Sequence, residues 1–169
     1  MSGLRRVLVV AAIIEKNGKV LVSLRRPKGE RASLWEFPGG KVEPGEGERA
    51  ALARELREEL GVSAAIGEEY GRVEHIYPDV QVELALFRCT LHAGPEPQPL
   101  ACEEVRWVSH RDLPGLPFCE ADVPILTRLA EEEQALPATG GARMRGALEE
   151  EQALPATGGA RMRGALEEN

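Results

Sequence analysis

The sequence predicts an α/β layered sandwich built on a mixed β-sheet. Three observations carry that reading: short apolar runs separated by turn residues, one helical segment early in the chain, and a second late in it. Val7 to Ile14 and Val20 to Leu24 flank Asn17-Gly18, a strong hairpin signal, and are expected to pair. Gly47 to Leu60 carries an apolar stripe of Leu52, Leu56 and Leu60 and is stopped by Gly61, so it reads as a helix docked by one face. Strands are expected near Gly71 to Tyr77 and Val80 to Cys89, joined by Pro78-Asp79, and near Val105 to Ser109. A final helix of about Ala121 to Leu136 is ended by Pro137.

Composition bounds the function classes. The 169 residues allow one ordinary domain, and 43% hydrophobic with 29% charged residues places the chain among globular proteins. The longest apolar run, Val7 to Ile14, is far short of the roughly 20 residues a spanning helix needs, so no membrane partner is expected. Arg5-Arg6 before that run imitates an export signal, but the run stops at Glu15-Lys16 with no small-residue cleavage site. Cys89, Cys102 and Cys119 lack C-x-x-C spacing, which argues against a disulfide framework or a zinc site and fits a cytoplasmic location. The net charge of −7 includes no basic stripe, which excludes polymeric nucleic acid as the main partner.

The last 39 residues differ from the rest. Glu131 to Leu148 recurs letter for letter as Glu149 to Leu166, a duplication with too few units for a repeat architecture. Pro137, Pro155 and two Gly pairs interrupt long helices, so 131–169 is expected to be a disordered or partly helical tail behind a domain of residues 1–130. Short helical stretches such as Ala142 to Leu154 fit the pattern. Each unit spells Leu-Pro-Ala-Thr-Gly, which resembles a cell-wall sorting signal but lacks the hydrophobic stretch that should follow. The tail holds eight Glu and four Arg, so more than half of the net charge belongs to it.

The chemistry concentrates on the first helix. Glu55, Glu58 and Glu59 stand at i, i+3 and i+4, three carboxylates on one face beside the leucine stripe. Like charges this close repel, and a hard divalent cation with oxygen ligands would neutralise them. Ahead of the helix, Phe37-Pro38-Gly39-Gly40-Lys41 supplies consecutive glycines that permit close backbone approach to a metal or phosphate.

From Gly40, five residues lead to Glu46 and seven more to Arg54-Glu55-Leu56, then Arg57, Glu58-Glu59, Leu60 and Gly61-Val62. This matches the box of the Nudix hydrolase family at every specified position. Over roughly Val9 to Leu129 the chain resembles the MutT-type nucleoside triphosphate pyrophosphohydrolases of that family, especially its bacterial CTP pyrophosphohydrolase branch. The resemblance implies the Nudix α/β/α sandwich with a mixed sheet, dependence on Mg²⁺ with Mn²⁺ as the alternative ion, and cleavage of an NTP or dNTP to a monophosphate and pyrophosphate by water attack at an internal phosphorus. It further implies Glu55, Glu58 and Glu59 as metal ligands with a carbonyl of Gly39 or Gly40. Arg54 would orient the glutamates, and Arg25 or Arg26 would meet the triphosphate. Phe37, Pro38, Gly39, Gly40 and Lys41 would line the substrate site, and a monomer or homodimer is expected.

Two positions bear on mechanism and substrate. Many relatives carry Glu-His-Glu-Glu where this chain has Ala101-Cys102-Glu103-Glu104, so the first acid of that loop is missing. Glu103 or Glu104 could substitute, or Glu55 could serve as base alone. Asp122 lies where MutT-like enzymes read the base. An ionised Asp only accepts hydrogen bonds, which suits the amine of cytosine, and the alternative is a cap on the last helix. The expectation is a cytosine or modified pyrimidine nucleotide. The alternatives are an 8-oxo-dGTP diphosphatase for nucleotide-pool sanitation and, from another class, a non-catalytic nucleotide-sensing module.

Overall fold

The computed structural model describes residues 3–136, and residues up to Gln134 form one compact unit. Of the segment expected as a tail, residues 131–135 end the last helix, and the expectations for residues 137–169 lie outside the described residues. The observed order is β1 (Arg6–Lys16), β2 (Lys19–Leu24), β3 (Trp35–Glu36), β4 (Gly39–Lys41), α1 (Glu48–Leu60), β5 (Ala64–Ile76), β6 (Gln81–Leu91), β7 (Glu104–Ser109) and α2 (Val123–Ala135). Short 3₁₀ turns at Leu113–Gly115 and Glu120–Asp122 precede α2. Among the described residues no helix is long and apolar enough to cross a membrane.

β1 is apolar on both faces, and it sits at the centre of the sheet. Val10, Ala12 and Ile14 join one buried cluster with Leu52, Leu56 and Leu60 of α1. Ala11 and Ile13 join the other, with Ile125, Leu126 and Leu129 of α2. Alternation along a strand thus feeds two cores on opposite faces, the α/β/α sandwich expected from the sequence.

The sheet is mixed, as expected, but the hairpin is shorter than the turn signal suggested. β1 and β2 pair only at Glu15↔Val20 and Lys16↔Lys19. Beyond them β1 runs parallel to β6 from Arg6↔Gln81 to Ile14↔Cys89, and β2 pairs with β7. The Asn17-Gly18 turn itself forms, with both residues at positive φ, but β4 takes the edge of β1 at Val9 to Ala11, so only the pairs next to the turn close. β5 begins at Ala64 rather than near Gly71, because irregularities between Ile66 and Gly71 scramble the alternation that marks a strand. β3 and β4 are too short to show any period. The last helix starts at Val123, two residues later than expected, because Glu120–Asp122 is wound as a 3₁₀ turn.

Candidate active site

Two backbone pairings assemble the site. β4 lies antiparallel on β1, with Val10↔Gly40 and Ala11↔Gly39 in register. A side chain on Gly39 would collide with the backbone of Val10 and Ala11, and one on Gly40 would fall on the Glu55 carboxyl. Gly39 therefore requires glycine, since backbone stands where its Cβ would be, whereas a side chain at Gly40 would displace the Glu55 carboxyl from its place against the strand. β3 brings in the far end of the chain: Trp35 N–H donates to Pro117 O at 2.8 Å and Cys119 N–H to Trp35 O at 2.9 Å. That pairing carries Asp122 to within hydrogen-bond reach of the Phe37 N–H.

Helix α1 is punctuated by glycines. Gly47 precedes it in extended backbone, and Gly61 ends it at φ 67° with its N–H on Arg57 O at 3.0 Å, a left-handed cap. Along the helix, Arg54 is the hub. Its Nε and Nη2 form a fork on the two oxygens of Glu46, both at 2.8 Å; its Nη1 reaches Glu55 at 2.9 Å and Glu58 at 3.2 Å; and Nη2 also donates to Lys41 O at 3.1 Å. This hydrogen bonding holds Glu46 down at about 2. Glu59 takes the other direction, accepting only a long bond from Gly39 N–H at 3.4 Å. Burial, with the charges of Glu36 and Glu55 close by, pushes it up to about 8. Burial also raises Glu55, with Arg54 opposing.

A cavity of about 270 Å³ opens beside this helix. Its lining includes the charged groups Arg25, Glu36, Lys41, Glu59 and Asp122, the backbone of Gly39 and Gly40, and an apolar wall of Phe37, Val7, Val9, Val80 and Val82. Glu36 is paired with Arg25 at 3.0 Å, yet burial still raises its carboxyl above the ordinary range. Asp122 is 5% exposed, and burial beside Glu36 holds it well above the usual carboxylate range. The sequence suggests an ionised, acceptor-only Asp122; burial instead favours the neutral acid, which both donates and accepts. Its carboxyl lies within reach of the Phe37 N–H, at the position immediately before α2.

Of the residues expected at the site, Arg25, Phe37, Gly39, Gly40, Lys41, Glu59 and Asp122 line the cavity, and Glu55 abuts Gly40. Arg26 is turned outward to Leu100 O at 3.5 Å. Pro38 is buried beneath the strand, its carbonyl bonded to Ala12 N–H at 2.8 Å. Glu58 is exposed and is reached through Arg54. Glu103 is exposed, Glu104 pairs with Arg106, and neither lines the cavity. Sequence reading missed Glu36, Arg31, Tyr77 and Asp79 as cavity residues. Glu36 did leave a signal, an acid between two large aromatics. All three cysteines are free thiols, and burial lifts Cys119 in the cavity wall to about 12, which leaves it an inert thiol.

The donor set suits a hard divalent cation. Every candidate ligand is an oxygen, and Glu59 is desolvated beside Glu36 and Glu55, so a bound cation would favour its charged form. Among the described residues no three His, Cys, Asp or Glu side chains already stand as a metal cage. The reason is visible in the geometry: Glu55 and Glu58 are both turned onto Arg54.

Comparison with known proteins agrees with this architecture. Residues 9–128 match the model of the NUDIX domain family. The chain is 40% identical over 147 residues to the CTP pyrophosphohydrolase of Escherichia coli, covering 80% of this chain and 99% of that protein. It is also 40% identical over 118 residues to a putative 8-oxo-dGTP diphosphatase 2 of Mycobacterium tuberculosis, covering 68% of this chain and 82% of the other. Among solved structures, the E. coli ORF135 protein superposes with a TM-score of 0.69 at 37% identity, covering 80% of this chain and 96% of that one.

Proposed function

This chain belongs to the NUDIX family, and from that premise we propose that it is a Mg²⁺-dependent pyrophosphohydrolase that converts cytosine or modified pyrimidine nucleoside triphosphates to a monophosphate and pyrophosphate. The observation that carries the reading is the wedge of Gly39-Gly40 between β1 and the acidic face of α1, at the edge of a cavity with room for a nucleobase. The names of the similar proteins, a CTP pyrophosphohydrolase and an 8-oxo-dGTP diphosphatase, support nucleotides as the substrate class.

Glu55, Glu58, Glu59 and a carbonyl of Gly39 or Gly40 would hold the cation. When bound, it supplies polarisation of phosphoryl oxygens and a lowered pKa for a coordinated water. Arg54 sets the angle of Glu55 and Glu58, while its fork on Glu46 keeps the guanidinium from swinging away. Lys41 and Arg25 line the route for the phosphates and offset their charge. Glu55 would take the proton of the attacking water, from its place against Gly40 at the edge of the cavity. The apolar valines and Phe37 exclude water around the base, and Asp122 faces its polar edge.

A neutral Asp122 fits cytosine by donating to N3 and accepting from the N4 amine. The same acid can donate to O6 and accept from the N7–H of 8-oxoguanine, and this observation keeps the oxidised purine as a second reading. The test is a Mg²⁺-dependent screen of normal and modified NTPs and dNTPs that scores pyrophosphate against phosphate. Pyrophosphate release with highest kcat/KM on a cytosine nucleotide is expected, highest kcat/KM on 8-oxo-dGTP selects the second reading, and release of phosphate alone overturns both.

A further inference from the structure

The segment 25–34 joins β2 to β3 beside the cavity, and its base is closed by Arg25 N–H on Leu34 O at 3.0 Å and Ser33 N–H on Arg26 O at 3.4 Å. Within it, two non-glycine residues, Arg31 and Ser33, both take φ 58°. L-residues avoid that left-handed backbone, and it persists only where surrounding contacts over-determine it. For Arg31 the contacts come from far along the chain. Its Nη1 donates to Asp79 Oδ1 at 3.0 Å and its Nη2 to Asp79 Oδ2 at 3.4 Å, while the guanidinium lies 4.4 Å from the centre of the Tyr77 ring.

An exposed ion pair ordinarily contributes little. This one combines a two-point fork with stacking on an aromatic face, a geometry that arginine alone provides, and the Arg31 side chain is only 22% exposed. Tyr77 and Asp79 flank the turn between β5 and β6, and all three residues line the same cavity. Tyr77 reaches further, because its hydroxyl accepts the Ala121 N–H at 3.0 Å, one residue before Asp122. A continuous set of contacts thus runs from the β2–β3 segment through Tyr77 to the backbone that carries Asp122.

We propose that residues 25–34 form a strap over the nucleobase end of the cavity, fastened by Arg31 onto Asp79 and Tyr77, and that the fastened strap holds Asp122 in place against the base. Arg31 and Asp79 are then positioning residues for the nucleotide and take no part in the chemistry at phosphorus. The proposal rests on the reading of this cavity as a nucleotide site.

Asp79→Asn tests it, since it removes the charge at the fastening while leaving every tryptic site in the strap intact. With CTP and Mg²⁺, KM is expected to rise about five-fold, as when the fastened form falls to about a fifth of the molecules, with kcat little changed. Trypsin should nick the variant faster after Lys28 or Arg31, CTP should slow nicking more in the parent protein than in the variant, and melting temperature should stay the same. Arg31→Lys, which keeps the charge but loses the fork and the stacking, should fall between. Unchanged KM together with unchanged nicking overturns the strap, and so does a fall in kcat at constant KM. If the parent protein releases no pyrophosphate from any nucleotide, the functional reading fails, and the nicking rates decide the strap on their own: faster in Asp79→Asn supports it, equal rates overturn it.

Discussion

Helices α1 and α2 are both 13 residues long, dock through buried aliphatic side chains on opposite faces of one sheet, and carry three closely spaced glutamates. Their acids nevertheless live in different electrostatic surroundings. In α2, Glu132 meets Arg88 at 2.8 Å and Arg128 at 3.4 Å, so arginines from β6 and from the helix itself offset its charge, and Glu133 lies 3.8 Å from the His110 ring. In α1 a single arginine serves Glu55 and Glu58, and Glu59 faces a glycine strand and a second buried acid. Acid spacing alone therefore does not distinguish a reactive face from a structural one. What distinguishes them is whether the opposing surface supplies cations or withholds them.

The contrast can be broken most sharply by removing one charge from α1. Glu55→Gln is expected to lower kcat by about 10²- to 10⁴-fold, the usual contribution of a general base, with folding intact by circular dichroism. Glu103→Gln, on an exposed loop, and Glu132→Gln, at a half-buried helix position outside the cavity, should leave kcat nearly unchanged, and a comparable loss in either would overturn Glu55 as the base.

Stability should separate the helices far less than activity does. Leu56 is 0% exposed and Leu129 is 1% exposed, so Leu56→Ala and Leu129→Ala should each cost about 2–5 kcal/mol in urea unfolding. Similar costs would mean that the two helices dock alike and differ only in what their acids face.

The next effect is a pH dependence to which Glu59 of α1 contributes beside Glu36 and Asp122, whose carboxyls burial also raises. Glu59 titrates near 4.5 when unfolded and at about 8 in the folded, metal-free protein. Between those values the native state holds a proton that the unfolded state has lost. Its contribution therefore lowers metal-free stability as pH rises from about 4.5 to about 8 and levels off above that. Glu59→Gln should flatten that slope in thermal melts. Mg²⁺ binding to the parent protein near neutral pH should release a proton, detectable by calorimetry in two buffers of different ionisation enthalpy.

The smallest effect belongs to α2. Glu132→Gln breaks half-exposed pairs with Arg88 and Arg128 and should change stability by no more than about 1 kcal/mol. A larger loss would show that α2 depends on its ion pairs as much as on its buried leucines.

Much of the scaffold was legible because it is local. The leucine stripe, the glycine stop at Gly61 and the three glutamates on one turn follow from helical spacing, and the turn at Pro78-Asp79 follows from its residues. The short hairpin, the early start of β5 and the two-residue β3 were not legible, since each depends on a partner strand distant in sequence. Arg54 was expected to orient the glutamates, but its fork on Glu46 needed the fold to bring the loop back over the helix.

Sequence alone determined the layered α/β class, the acidic helix and the glycines ahead of it, because periodicity and backbone permissiveness act over a few residues. Tertiary structure decided which carboxylates are desolvated. Glu36, Glu59 and Asp122 come from β3, α1 and the turn before α2, and they share one cavity only because Trp35 pairs with the segment around Phe118 and β4 lies flush on β1. Burial and mutual repulsion then set their protonation, and neither can be read from spacing because both depend on what the fold removes from water.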